Sequence, residues 1–243
     1  MKPILLLLFI FACSSSSLAG ETVPYTVDGK NYEGYYARAN KTAPLVVVIH
    51  DWDGLTEYEI MRTKMLVDLG YNVFAADLFG AGVRPVEIND KKALTGDLYK
   101  NRQKMRTLIT AAFQTAEDLG LDTNNAVLAG YCFGGAAALE YARSGADVKG
   151  FVTFHGGLAT PEGQNYEAAQ GRYLILHGTA DSVVSMSEFA RLAEQLESEE
   201  LTHEMVTYSG APHAFTVFGT GNYREDADKK SWDYFTRWLK ATL

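Results

Sequence analysis

Three residues of this 243-residue chain are of the types that do acyl-transfer chemistry together: Cys132, Asp181 and His213. Cys132 stands in VLAGYCFGG, at the apex of Gly130-Tyr131-Cys132-Phe133-Gly134-Gly135, a G-x-C-x-G-G pattern. A short apolar strand precedes it and an alanine-rich helix, AAALEYAR, follows, so the thiol is expected on a sharp strand-to-helix turn. Such a turn strains the apex residue, and side chains at the flanking glycines would collide with the strand or the helix. Two effects would then act on the sulfur. A helix N-terminus favours negative charge there, and the backbone N–H of Phe133 points to where an oxyanion would form. The opposing reading is a glycine-rich turn around a buried, inert Cys.

Asp181 lies in HGTAD, 49 residues after Cys132, and His213 lies in APHAF, 32 residues after Asp181. A thiol is only a few per cent thiolate at neutral pH, so it needs an imidazole to take its proton. The imidazole in turn needs a carboxylate on its other nitrogen to fix tautomer and orientation. Singly, Asp181 reads equally as a helix cap and His213 as a turn residue after Pro212. Together, each follows a predicted strand, in the order nucleophile, acid, histidine, and they read as a triad. A second oxyanion donor is expected from the loop after LVVVIH, where the backbone N–H of Trp52 is the candidate. Asp51 beside it would lie near the thiol, or would cap a turn.

The elements that must position these groups alternate between strand and helix. Glu21–Ala37 holds two alternating stretches around Asp28-Gly29, a hairpin signal. LVVVIH, YNVFAA, the nucleophile strand, Val148–Phe154, YLILH and His203–Tyr208 follow as strands. LVVVIH, YNVFAA and YLILH are continuously apolar, as in a parallel sheet covered on both faces. Helices are expected at Tyr58–Leu69, with Ile60, Met65, Leu66 and Leu69 at helical spacing, as one or two segments over Asp90–Asp118, at Ser187–Ser198 and at Arg224–Thr242. The class is α/β, a mostly parallel sheet with helices on both faces, as a single domain over residues 20–243. In such sheets the site lies at the carboxyl ends of the strands.

Composition is ordinary for a globular domain, at 47% hydrophobic and 21% charged residues, and the net charge of −8 argues against a nucleic-acid partner. Residues 1–19 read as a signal peptide: Lys2, the apolar run Ile4–Ala12, serines, then Leu18-Ala19-Gly20. The run is too short for a comfortable membrane span. Cleavage after Ala19 would export the chain to a periplasm or beyond the cell and leave Cys132 as its only Cys. A lipoprotein cut before Cys13 is the alternative, against which Phe11 is bulky and the leader short. Neither a metal nor a cofactor is expected from the spacing of the five His and the carboxylates, and the chain is read as a monomer. His155, beside Gly156-Gly157, and Tyr131 are further candidates for substrate contact or support of the site, while His50 and His177 read as packing residues.

The set HDWDGL, ADLFG, GYCFGG, HGTAD and PHAF, in this order, resembles the dienelactone hydrolase family of the α/β-hydrolase fold, over roughly residues 24–243. The Cys-bearing elbow is the most specific part of the resemblance. It implies hydrolysis of a small-molecule ester or lactone by a Cys132, Asp181, His213 triad, with Trp52 and Phe133 forming the oxyanion hole. It also implies an acidic residue near the nucleophile, matched by Asp51. Members that cleave dienelactone hold a substrate carboxylate with two arginines. Arg84 matches the first at a shifted spacing. The second position is Val217 here, with Arg224 the nearest later substitute, and this departure argues against the namesake lactone. A carboxylesterase or thioesterase of the same fold is the alternative, and a non-catalytic binding or thiol-redox protein a more distant one.

Overall fold

The computed structural model describes residues 20–243, so the stretch expected to be a signal peptide, with Cys13, lies outside the described residues. The chain opens with an antiparallel hairpin, β1 (Glu21–Val27) and β2 (Lys30–Ala37). Asp28 and Gly29 both take positive φ, 49° and 75°, as a two-residue hairpin turn of this hand requires. Six strands then run parallel to one another: β3 (Pro44–Ile49), β4 (Asn72–Ala76), β5 (Asp122–Tyr131), β6 (Gly150–Phe154), β7 (Arg172–Gly178) and β8 (His203–Tyr208). The order across the sheet is β1-β2-β4-β3-β5-β6-β7-β8, and the hairpin joins through an antiparallel β2–β4 pairing.

The unpatterned apolar run of β3 is explained by two cores, one on each face of the sheet. Leu45, Val47 and Ile49 point to one face, where Leu98, Leu108, Leu139 and Leu192 pack on them and their neighbours. These come from α2 (Ile88–Lys100), α3 (Arg102–Asp118), α4 (Phe133–Arg143) and α5 (Met186–Ser198). Val46 and Val48 point the other way, into a core shared with Leu66 and Val67 of α1 (Glu57–Asp68) and Phe235, Trp238 and Leu239 of α6 (Glu225–Thr242). Each such side chain taken fully out of water stabilises the fold by about 1.5–3 kcal/mol before entropy is counted. Among the described residues, no helix is long and apolar enough to cross a membrane.

The helix α1 departs from its sequence reading. Its expected apolar stripe includes Leu69, which is 45% exposed, whereas Glu59, Arg62 and Thr63 are buried. Hydropathy alone misses this because Glu59 and Arg62 are satisfied inside, while the Thr63 hydroxyl is buried without a hydrogen-bond partner among the described residues. Glu59 completes a capping box with Thr56, and Arg62 donates to oxygens of Tyr58, Thr216 and Asp228.

Candidate active site

Cys132 is the single residue between β5 and α4, with φ 51° and ψ −111°. A non-glycine residue held there costs on the order of 1–3 kcal/mol, which the surrounding packing must impose. Close approach is what the glycines supply. A Cβ on Gly134 would lie 2.6 Å from the carbonyl oxygen of His50 and closer still to that of Ile49. One on Gly130 would lie 2.6 Å from the Gly135 nitrogen, and one on Gly135 2.8 Å from the Gly156 Cα. The elbow is therefore pressed between β3 and the loop after β6, and the Cys132 N–H is fixed to the Phe154 carbonyl at 3.0 Å.

The three chemistry-bearing residues meet. His213 Nε2 is 3.0 Å from Cys132 Sγ, and His213 Nδ1 is 2.8 Å from Asp181 Oδ2. The other carboxylate oxygen, Oδ1, accepts the N–H groups of Val183 and Val184 at 2.8 and 2.9 Å. Asp181 thus turns the chain toward α5 and orients His213 at once, while Ser185 caps the helix itself. Burial disfavours charge on His213, but its hydrogen bonds with Asp181 and Cys132 outweigh that and push it up to about 10. Burial works against ionised Asp181 too, and the bonds from His213 and the two N–H groups hold it below its usual value. With Nδ1–H given to Asp181, Nε2 faces the sulfur.

The loop between β3 and α1 forms the opposite wall. The N–H groups of Phe133 and Trp52 have no acceptor among the described residues. Asp51 accepts the Asp53 N–H at 2.8 Å, and its own N–H is 3.4 Å from Glu59 Oε1. Burial pushes Asp51 up to about 6; burial and then the nearby Asp51 charge push Glu59 up to about 8. Asp51, Trp52, Cys132 and His213 line one cavity of about 520 Å³. Among the described residues, no group of side chains is arranged to hold a metal ion.

A model of the dienelactone hydrolase family matches residues 32–243. The chain belongs to the dienelactone hydrolase family. It is accordingly an enzyme, a hydrolase of the ester and lactone class. A Salmonella typhimurium protein with the provisional name carboxymethylenebutenolidase is 23% identical, over 87% of this chain and 83% of its own length. Protein usf of Aquifex pyrophilus is 26% identical, over 81% of this chain and 87% of its own. Among solved structures, a dienelactone hydrolase-like promiscuous phosphotriesterase from metagenomic libraries superposes with a TM-score of 0.85 at 25% identity, covering 92% of this chain and 98% of that one.

In this dienelactone hydrolase-family chain several expected residues stand elsewhere than predicted. Arg84 does not line the cavity. Its guanidinium is captured by the carbonyls of Leu55 and Val83 and lies 3.4 Å from Glu33. Arg224 does not line it either, because its guanidinium folds back on the carbonyls of Gly221 and Tyr223. Val217 does. Tyr131 is core rather than pocket: it stacks on Phe154 at 4.6 Å and meets the edge of Tyr58 at 5.2 Å. His155 is fully buried behind the site. Its Nε2 is 2.8 Å from the Thr216 hydroxyl, and its ring stands edge to face with His213 at 5.5 Å. Burial, and then the charge of His213, hold His155 neutral. His50 packs on Phe79 and accepts the Leu78 N–H at Nε2, kept neutral by burial at about 4, and His177 stacks on Phe189. Lys91, Thr220 and Asn222 line the cavity without having been marked by any motif, and Asp53 lines it from within HDWDGL, a motif that assigns it no role. Lys91 sits in an otherwise polar helix, where a lysine is indistinguishable from a solvated one.

Proposed function

We propose that this hydrolase cleaves carboxylic esters or lactones through a Cys132 thiolate, with His213 as base and Asp181 as its orienting partner. The observation that carries the reading is the continuous line of hydrogen-bond distances from Asp181 through His213 to Cys132. His213, pushed up to about 10, carries a proton on each ring nitrogen, so Sγ bonds to the substrate carbonyl carbon as the thiolate paired with Nε2–H. The resulting oxyanion is received by the N–H groups of Phe133 and Trp52, which are otherwise unpaired among the described residues. Collapse breaks the ester C–O bond, the leaving oxygen takes the Nε2 proton from His213, and an acyl thioester remains on Cys132. Water then gives a proton to His213 and its oxygen to the acyl carbon. The C–S bond breaks, and the free acid departs as the thiolate–imidazolium pair is restored.

The test is turnover of a p-nitrophenyl ester by the wild type, Cys132→Ala and Cys132→Ser. Cys132→Ala should lose at least about 10³-fold in kcat, leaving what the oxyanion hole and binding alone provide. Rapid acid quench of the wild type should give a mass adduct of one acyl group on Cys132. Near-wild-type turnover by Cys132→Ala would sink the assignment.

A further inference from the structure

The charges that line the cavity are two carboxylates, Asp51 and Asp53, the Lys91 ammonium and the His213 imidazolium, the last already held between Asp181 and Cys132. That ammonium is already engaged. Lys91 Nζ is 2.5 Å from Asp53 Oδ1 and lies 5.2 Å from the centre of the Trp52 ring. The Lys91 side chain is only 15% exposed, so its charge is drawn inward against that pair and not spread into solvent. Both arginines near the site are turned onto backbone carbonyls and stay outside the cavity. The remaining wall is largely apolar, from Trp52, Val183, Pro212 and Val217.

Resting on the thiol-hydrolase reading above, we infer that the Asp53–Lys91 pair is a specificity determinant that admits esters with uncharged, apolar acyl groups and turns away those bearing a carboxylate. A substrate carboxylate entering this cavity faces Asp51 and Asp53. The His213 cation is engaged by Asp181 and Cys132, so the carboxylate gains one only by taking Lys91 from Asp53, which exchanges one ion pair for another and leaves Asp53 unpaired beside it. An uncharged acyl chain has no such exchange to make and buries apolar surface against Val217 and Trp52. The pair also joins two elements of the cavity wall, the loop after β3 and the first turn of α2.

The experiment compares two activated esters of matched carbon count, p-nitrophenyl hexanoate and the p-nitrophenyl monoester of adipic acid, the second ending in a carboxylate. The readout is the ratio of their kcat/KM values. The wild type should favour the hexanoate by about tenfold or more. Asp53→Asn leaves Lys91 uncommitted, and the ratio should shrink by about tenfold as the adipate ester improves. Lys91→Met should widen the ratio, and the double variant should lose the gain that Asp53→Asn confers. Both side chains are partly exposed, so either single variant reads the effect if the other fails to fold. Equal kcat/KM for the two esters in the wild type, or an unchanged ratio in Asp53→Asn, overturns this inference alone. Turnover of neither ester by the wild type overturns the hydrolytic reading and this inference with it.

Discussion

Asp181 gives a different oxygen to each of two tasks, which makes one substitution informative. In Asp181→Asn the carbonyl oxygen can still accept the N–H groups of Val183 and Val184, so the turn before α5 should persist. The amide nitrogen then faces His213 Nδ1 and donates to it. That keeps the imidazole proton on Nε2, the nitrogen that faces Cys132 and must be free to accept water's proton when the acyl thioester hydrolyses. We expect kcat/KM for an activated ester to fall by about 10⁴-fold with an unchanged circular dichroism spectrum. A loss smaller than tenfold would remove Asp181 from the mechanism. Single residues differ in how far sequence can place them. The gathering of Cys132, Asp181 and His213 was legible because each follows the carboxyl end of a strand of one parallel sheet, β5, β7 and β8. Arg84 was not, because its long side chain leaves a loop, and its direction depends on which carbonyls happen to stand nearby, here those of Leu55 and Val83.

The strand–elbow–helix unit was readable from glycine spacing, and its tolerance to substitution follows from the same geometry. Gly134 has no room for a Cβ against the carbonyls of Ile49 and His50. Gly134→Ala must push α4 away from β3, carrying the Phe133 N–H with it. The expected cost is about 1–3 kcal/mol of stability together with a fall in kcat that exceeds any change in KM. Gly96, in the interior of α2, has open space where a methyl group would stand, with nothing within 4 Å of it, and its φ is unexceptional. Gly96→Ala should instead stabilise by about 0.5–1 kcal/mol, read as a small rise in thermal midpoint. Opposite signs for two Gly→Ala changes would follow from close approach alone, and equal signs would contradict it. Element boundaries were less legible than element types. The break between α2 and α3 falls at Asn101, whose side chain accepts the Lys104 N–H, with neither Gly nor Pro to mark it in a long polar stretch.

Across the whole molecule, stability depends on polar groups that hydropathy assigns to the surface. Asp51 and Glu59 are carboxyls whose values are raised by burial, to about 6 and about 8. A raised carboxyl favours folding while it is protonated in the native state. Their contribution is therefore present at low pH and lost as pH rises from the ordinary carboxylate range through about 6 and then about 8. Glu59→Gln keeps an oxygen for the Thr56 N–H and should flatten the decline in thermal midpoint between about pH 5 and pH 8, a range set by those two values. An unchanged pH slope would mean that Glu59 titrates normally.

The second buried group joins the two helices on one face of the sheet to the loop that carries His213. Arg62 of α1 pairs with Asp228 of α6, donates to the Thr216 carbonyl at 3.0 Å and to the Tyr58 hydroxyl at 3.2 Å, and lies 4.6 Å from the Phe218 ring centre and 5.0 Å from that of Trp232. Thr216 in turn bonds Tyr58 and His155, so the pair is coupled to the ring that backs His213. Removing one partner leaves a guanidinium buried with its charge uncompensated, a defect worth about 3–5 kcal/mol. Asp228→Ala should therefore lower the thermal midpoint by about 2–4 °C for each kcal/mol lost. It should also slow ester turnover, because Thr216 lies three residues beyond His213 in the same loop. One turn away on the same helix, Lys229 and Glu225 form an exposed pair at 2.5 Å. Glu225→Ala should change neither property measurably, since solvent screens such pairs. The two substitutions remove the same charge from the same helix. A difference between them therefore reports burial and not net charge, and matched melting curves and turnover rates for both variants decide it.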